Sequence, residues 1–163
     1  MFFHFFTFIF WYKLIKMAKK KTKILVKDGD SVTVNYTGKL EDGSVFDSSF
    51  NEGRGPLSAT LGANQLIPGF EKGLIGMGIG DKKVVEIAPF EAYGNYRPDM
   101  VSEIEKSKFP EDVTVGSTLQ GMSQAGPVIV TVLEVNEETV KVDANHPLAG
   151  KKLIFEIEVV SVN

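Results

Sequence analysis

The chain has 163 residues, of which 43% are hydrophobic and 24% charged, and its formal net charge is −3. This balance predicts one domain, or one domain with a small insertion, and excludes a disordered chain or a polytopic membrane protein. The chain has no cysteine, which excludes a disulfide framework, a zinc ribbon and a cysteine nucleophile. The negative charge gives no support for a nucleic-acid partner.

Aromatic residues are concentrated at the amino terminus, where eight of the 17 fall within the first 12 positions. The apolar run covers about 11 residues, against roughly 20 for a membrane-crossing helix. Its lysines follow it, whereas a secretory signal has them in front. Met17 opens a plausible start for a soluble protein. We interpret residues 1–16 as a misassigned upstream start outside the fold. A membrane-surface anchor and a degenerate targeting segment stay open as alternatives.

An alternating pattern begins at Ser31 and predicts a strand with one buried face. An Asp-Gly turn follows and predicts a hairpin whose return strand covers residues 45–50. A short strand is predicted over residues 57–61. The residues on the buried side of the first strand are Val32, Val34 and Tyr36.

A short helix is predicted after these strands, because Pro68 suits the first helical position. Glycines 76, 78 and 80 would end the helix, and residues 81–88 alternate again as a strand. The helix residues expected to face a core are Phe70, Leu74 and Ile75.

Composition shifts after Gly94, because residues 95–145 hold nine acids and four bases. About 51 residues are too many for an ordinary loop, so we predict an inserted subdomain. Ser102 and Glu105 fit a capping box, which indicates a helix start. Strands are predicted within the insertion over residues 117–122, 127–135 and 138–142.

A last strand over residues 153–162 must pair with the first block, because a lone strand is not stable by itself. The prediction is therefore an α+β fold. Residues 17–94 and 146–163 form one domain, and residues 95–145 form a small, mainly β domain inserted into it.

Several motifs in this order resemble the FKBP-type peptidyl-prolyl isomerases. They are VNYTGKLEDGSVFDSS at 34–49, Pro56-Leu57 with Leu61-Gly62, LIPGFE at 66–71, Gly76-Met77 with Gly80-Asp81, and EAYG at 91–94. The insertion after Gly94 and the return through DANHPLAG at 143–150 are similar to the SlyD-type branch. In that branch the insertion is a chaperone domain called insert in flap. The resemblance covers nearly all of residues 24–163.

The resemblance implies a twisted antiparallel sheet around a short helix, with an aromatic-lined cavity between them. It implies an enzyme that rotates X–Pro bonds without a covalent intermediate, cofactor or metal. By position, the catalytic residues would be Tyr36, Asp47, Ile67 and Tyr93. The proline pocket would consist of Phe46, Leu57, Leu66, Phe70 and Phe155.

The resemblance also implies how these residues act. The backbone N–H of Ile67 would hold a substrate carbonyl, the Tyr93 hydroxyl would be a second donor, and Asp47 would orient Tyr36. Family members often have aromatic residues where Leu57 and Phe70 stand, usually tryptophan at the latter, so this pocket would be looser. Within the insertion, Met122 and Ile129 are candidates for holding unfolded segments.

The expected partners are unfolded or partly folded proteins and proline-containing peptides, with no nucleic acid. A membrane partner is expected only if residues 1–16 are expressed. The protein is expected to be a cytoplasmic monomer. The competing hypothesis is a non-catalytic holdase chaperone that keeps a residual proline pocket. His146 has no nearby histidine or cysteine partner in the sequence, so we predict no metal site.

Overall fold

The computed structural model describes residues 24–123 and 126–163. The interpretation of residues 1–16 as a misassigned start therefore concerns residues outside the described part. That part contains nine strands and one α-helix. They are β1 (Ser31–Leu40), β2 (Val45–Ser48), β3 (Leu57–Thr60), α1 (Pro68–Leu74), β4 (Lys82–Ile87), β5 (Val101–Glu105), β6 (Thr118–Ser123), β7 (Gly126–Val135), β8 (Thr139–Asp143) and β9 (Leu153–Val162).

The main sheet is antiparallel and has the strand order β2-β1-β9-β4, with β3 also pairing with β1. Strand β1 is central: β3 pairs with its first half, β2 with its second half, and β9 with nearly its whole length. The prediction that residues 153–162 return to the first block is confirmed. The mostly antiparallel sheet with one short helix confirms the α+β class.

Helix α1 packs closely on β4 because two glycines face the strand. A Cβ added at Gly69 would lie 2.3 Å from Ile87 Cγ2, and one added at Gly73 would lie 2.8 Å from Val85 Cγ2. Phe70 and Leu74 are buried, as predicted. The prediction for Ile75 is wrong: it caps the helix, is 46% exposed, and precedes Gly76, whose φ of +80° turns the chain away.

A second antiparallel sheet has the strand order β5-β8-β7-β6. It has a small core of its own, in which the buried residues are Val130, Val132, Val140 and Val142. The helix start predicted at Ser102 and Glu105 is wrong, because both residues belong to β5 and pair with β8. The five residue pairs that β5 forms with β8 stabilise a strand more than the local capping signal stabilises a helix.

Two chain segments connect the sheets, and Asn145 ties one segment to the other. Its side chain accepts a hydrogen bond from Arg97 N (2.9 Å) and donates to Arg97 O (2.8 Å) and Asp143 Oδ1 (2.7 Å). Nearby, Gly150 N donates to Gly94 O (2.8 Å). The division of the chain at residues 94 and 146 stays a prediction. Within residues 24–123 and 126–163, no helix is long and apolar enough to cross a membrane.

Candidate active site

A cavity of about 480 Å³ lies between the inner face of the main sheet and the segment leading into α1. The structure brings together at this cavity all nine residues predicted for the catalytic group and the proline pocket. Three further residues that the sequence did not suggest also line it. The full lining is Tyr36, Phe46, Asp47, Leu57, Asn64, Gln65, Leu66, Ile67, Pro68, Phe70, Tyr93 and Phe155.

Four aromatic rings form the floor of the cavity. Phe155 contacts Phe70 at a centroid distance of 5.0 Å and Phe46 at 5.6 Å, both edge to face. Tyr36 contacts Phe70 at 6.1 Å in the same geometry. This arrangement is favourable for aromatic pairs because the edge of one ring meets the face of the next. Strand alternation explains it, since inward positions of β1 and β9 carry Tyr36 and Phe155.

Glycine at position 38 makes room for this cluster. It lies on β1 directly opposite Phe155 of β9. A Cβ added there would lie 2.6 Å from Phe46 Cζ and 2.9 Å from Phe155 Cε1. The two rings therefore occupy space that any larger residue would fill.

A polar group stands at one side of the apolar floor. Tyr36 Oη donates to Asp47 Oδ2 (2.7 Å), and Ser48 N donates to Asp47 Oδ1 (2.9 Å). Arg54 Nη2 lies 3.7 Å from the same Oδ1. Both carboxylate oxygens are therefore engaged, which suits an orienting role for Asp47 better than proton transfer.

Burial, together with the hydrogen bond to Asp47, raises the pKa of Tyr36 to about 12. The neutral phenol therefore persists as a donor across the physiological range. Above about pH 10 an unfolded tyrosine loses its proton while the folded one keeps it, so stability falls as pH rises through this window.

We therefore expect the free energy of unfolding to fall more steeply between about pH 10 and 12 in the unaltered protein than in Tyr36→Phe. Denaturant titrations at several pH values measure this difference. Tyr93→Phe is the control, because Tyr93 is a 40% exposed tyrosine at the cavity rim. Parallel pH slopes for the unaltered protein and Tyr36→Phe would contradict the raised pKa.

Two residues that line the cavity carry hydrogen-bond donors with no acceptor among the residues that the structure describes. Ile67 precedes α1 in an extended conformation, and its backbone N–H donates to no residue that the structure describes. Tyr93 is 40% exposed at the cavity rim. Its ring stacks on His146 with a centroid distance of 3.9 Å and an interplanar angle of 1°.

Sequence reasoning missed several residues at or beside the cavity. Asn64 adopts a left-handed backbone (φ 57°) and Gln65 accepts a hydrogen bond from Thr60 N (2.9 Å). Arg54 lies in a loop that carries no spacing signal, so its approach to Asp47 depends on the fold. The sequence suggests only a metal-binding role to test for His146, whereas the structure places it against Tyr93.

Met122 and Ile129 lie outside the cavity, on the second sheet. They are 80% and 65% exposed. Met122 pairs with Pro127, and Gln120 pairs with Ile129, so these four side chains lie on one face of the β6–β7 hairpin. The opposite face carries Leu119, Val128 and Val130, which belong to the small core.

Comparison with known proteins agrees with this geometry. Residues 22–160 match the family model described as FKBP-type peptidyl-prolyl cis-trans isomerase. The chain therefore belongs to the FKBP-type peptidyl-prolyl cis-trans isomerases, and the predicted resemblance to this family is confirmed.

Individual relatives include both longer and similar-sized proteins. The FKBP-type peptidyl-prolyl cis-trans isomerase SlyD of Pasteurella multocida (strain Pm70) is 38% identical over 133 residues, which cover 80% of this chain and 65% of that protein. The chain thus spans slightly less than two thirds of that relative. The FKBP-type 16 kDa peptidyl-prolyl cis-trans isomerase of Escherichia coli (strain K12) is 32% identical. The aligned residues cover 85% of this chain and 94% of that protein. A probable FKBP-type 16 kDa peptidyl-prolyl cis-trans isomerase of Pseudomonas fluorescens is 35% identical. The aligned residues cover 80% of this chain and 87% of that protein.

Proposed function

We propose that this protein catalyses the cis–trans isomerisation of X–Pro bonds in unfolded or partly folded chains in the cytoplasm. The observation that carries this proposal is the four-ring cavity, which is also lined by Ile67 and Tyr93. The Ile67 N–H has no acceptor within residues 24–123 and 126–163. The family, and relatives whose names include this activity, support it.

The chemistry of amide rotation explains why an apolar cavity with hydrogen-bond donors is sufficient for catalysis. Amide resonance gives X–Pro rotation a barrier of about 18–20 kcal/mol. The planar ground state has a polar carbonyl, whereas the twisted transition state has lost resonance and is less polar. An apolar pocket that excludes water therefore favours the twisted state relative to the planar one. No bond breaks, so the reaction forms no covalent intermediate.

Each part of the site has a role in this proposal. The proline ring occupies the apolar floor, and the Ile67 N–H holds a substrate carbonyl. Tyr93 donates a second hydrogen bond, and Asp47 fixes Tyr36 at the wall. Leu57 leaves more space than an aromatic residue would. The residues that contact the proline ring are Phe46, Leu57, Leu66, Phe70 and Phe155.

The second sheet supplies client capture in this proposal. The exposed hairpin face with Met122, Pro127 and Ile129 presents apolar surface that a compact domain normally buries. A chain held there stays near the cavity, which raises the effective concentration of its X–Pro bonds.

The competing function is a holdase that binds clients without catalysis. Leu57 and Phe70 favour it, because the family often has larger aromatic residues at these positions. Both functions use the same exposed hairpin face, so only catalysis separates them.

An isomerisation assay on a short X–Pro peptide separates them, because a short peptide does not depend on capture. We expect the unaltered protein to accelerate isomerisation and Tyr93→Phe plus Phe155→Ala to lose at least about tenfold in kcat/KM, equivalent to about 1.4 kcal/mol. Tyr93→Phe alone is included because Phe155 is buried and its loss also destabilises the fold. An unaltered protein without activity would favour the holdase.

A further inference from the structure

We propose that His146 is a positioning residue that holds the Tyr93 ring in the orientation the reaction needs; this rests on the proposed isomerase function. Tyr93 follows a single 3-10 turn (Pro89–Glu91) and precedes Gly94, whose φ is +83°. Its side chain is 40% exposed, so core packing does not fix it. An exposed tyrosine in such a loop is free to change rotamer unless a neighbour restrains it.

His146 is the aromatic neighbour of Tyr93 in the part of the chain that the structure describes. The two rings are parallel within 1° and 3.9 Å apart, so they share a full face. A flat ring against one face of Tyr93 restricts rotation of the phenol, which lines the cavity.

His146 is itself held in place. Leu148 N donates to His146 Nδ1 (3.1 Å), so Nδ1 is an acceptor and the neutral ring carries its proton on Nε2. Ala149 N donates to His146 O (2.8 Å). The preceding Asn145 is 9% exposed and bonded to Arg97 on the outgoing segment. The His146 ring that contacts Tyr93 is therefore held by the chain segments that connect the two sheets.

This arrangement gives His146 two separable contributions, a ring face and an Nδ1 acceptor. His146→Phe keeps a flat ring and removes the acceptor. His146→Asn removes the ring and keeps an acceptor oxygen for Leu148 N. A positioning role depends on the ring face, whereas a role in shaping the 146–149 turn depends on the acceptor.

The test measures kcat and KM for a short X–Pro peptide with the full chain and these variants. We expect His146→Asn to lower kcat/KM about three- to tenfold, in the range that an aromatic pair supplies. His146→Phe should stay within about twofold of the unaltered protein. In a Tyr93→Phe background, His146→Asn should have no further effect on kcat/KM, because it acts through the Tyr93 hydroxyl.

Three results would overturn the proposal. The first is an active His146→Asn variant with unaltered kcat/KM. The second is His146→Phe losing as much activity as His146→Asn. The third is an equal effect of His146→Asn with and without the Tyr93 hydroxyl. An unaltered protein that is inactive would instead overturn the proposed isomerase function, and the role of His146 with it.

Discussion

Gly38→Ala is expected to lower the free energy of unfolding by about 1–3 kcal/mol, the usual effect of overpacking. It should also reduce kcat/KM for a short X–Pro peptide by about tenfold. The reason is steric: the new methyl group would lie 2.6 Å from Phe46 Cζ and 2.9 Å from Phe155 Cε1. Both rings line the cavity and must move to accept it. Denaturant unfolding and the peptide assay measure the two effects.

Gly121→Ala is the matched control for this experiment. Gly121 also lies within a strand, but among the described residues a Cβ there meets only Val128 Cγ1, at 3.9 Å. Alanine should therefore be neutral or slightly stabilising at position 121. If Gly38→Ala behaves like Gly121→Ala in both measurements, the ring cluster does not have the packing described above.

Met122→Ser combined with Ile129→Ser is expected to reduce catalysis of protein refolding by about tenfold or more, because tethering raises effective concentration by large factors. The same double variant should isomerise a short X–Pro peptide at the unaltered rate, since neither residue lines the cavity. Comparing both substrates isolates client capture from chemistry.

Val84→Ser is the control for removing exposed apolar surface. Val84 is 62% exposed on β4 of the main sheet and does not line the cavity. Val84→Ser should leave the rate of protein refolding and the rate of peptide isomerisation unchanged. Equal refolding rates for the Met122/Ile129 variant and the unaltered protein would show that clients are not captured on the hairpin face.

Much of the fold could be predicted because the alternation of apolar and polar residues indicates which face of a strand is buried. Strand β9 has the predicted bounds of 153–162, since four buried apolar residues alternate there with less buried ones. Prediction failed where a local signal competed with distant pairing. Ser102 and Glu105 fit a capping box, but the ladder with β8 determines their conformation.

The candidate site was predictable to a different extent. Motif order within the family was enough to identify eight of the cavity residues, because each lies in a motif whose place in the fold is shared. The ninth, Phe155, lies on the predicted last strand. Arg54 was not predicted because it lies in a loop without a pattern, although Asp47 is close in sequence. His146 was not predicted because it stacks on Tyr93, which is distant in the sequence. A long segment of chain separates Tyr93 from His146, whose rings the fold stacks face to face. No local pattern reports such a contact.

The most direct test of the central claim is refolding of a protein whose slow phase is limited by proline isomerisation. That phase takes tens to hundreds of seconds without a catalyst. We predict that substoichiometric amounts of this protein shorten it, and that Tyr93→Phe plus Phe155→Ala shortens it far less. An unchanged slow phase, with clients bound but not accelerated, would contradict catalysis at the aromatic cavity.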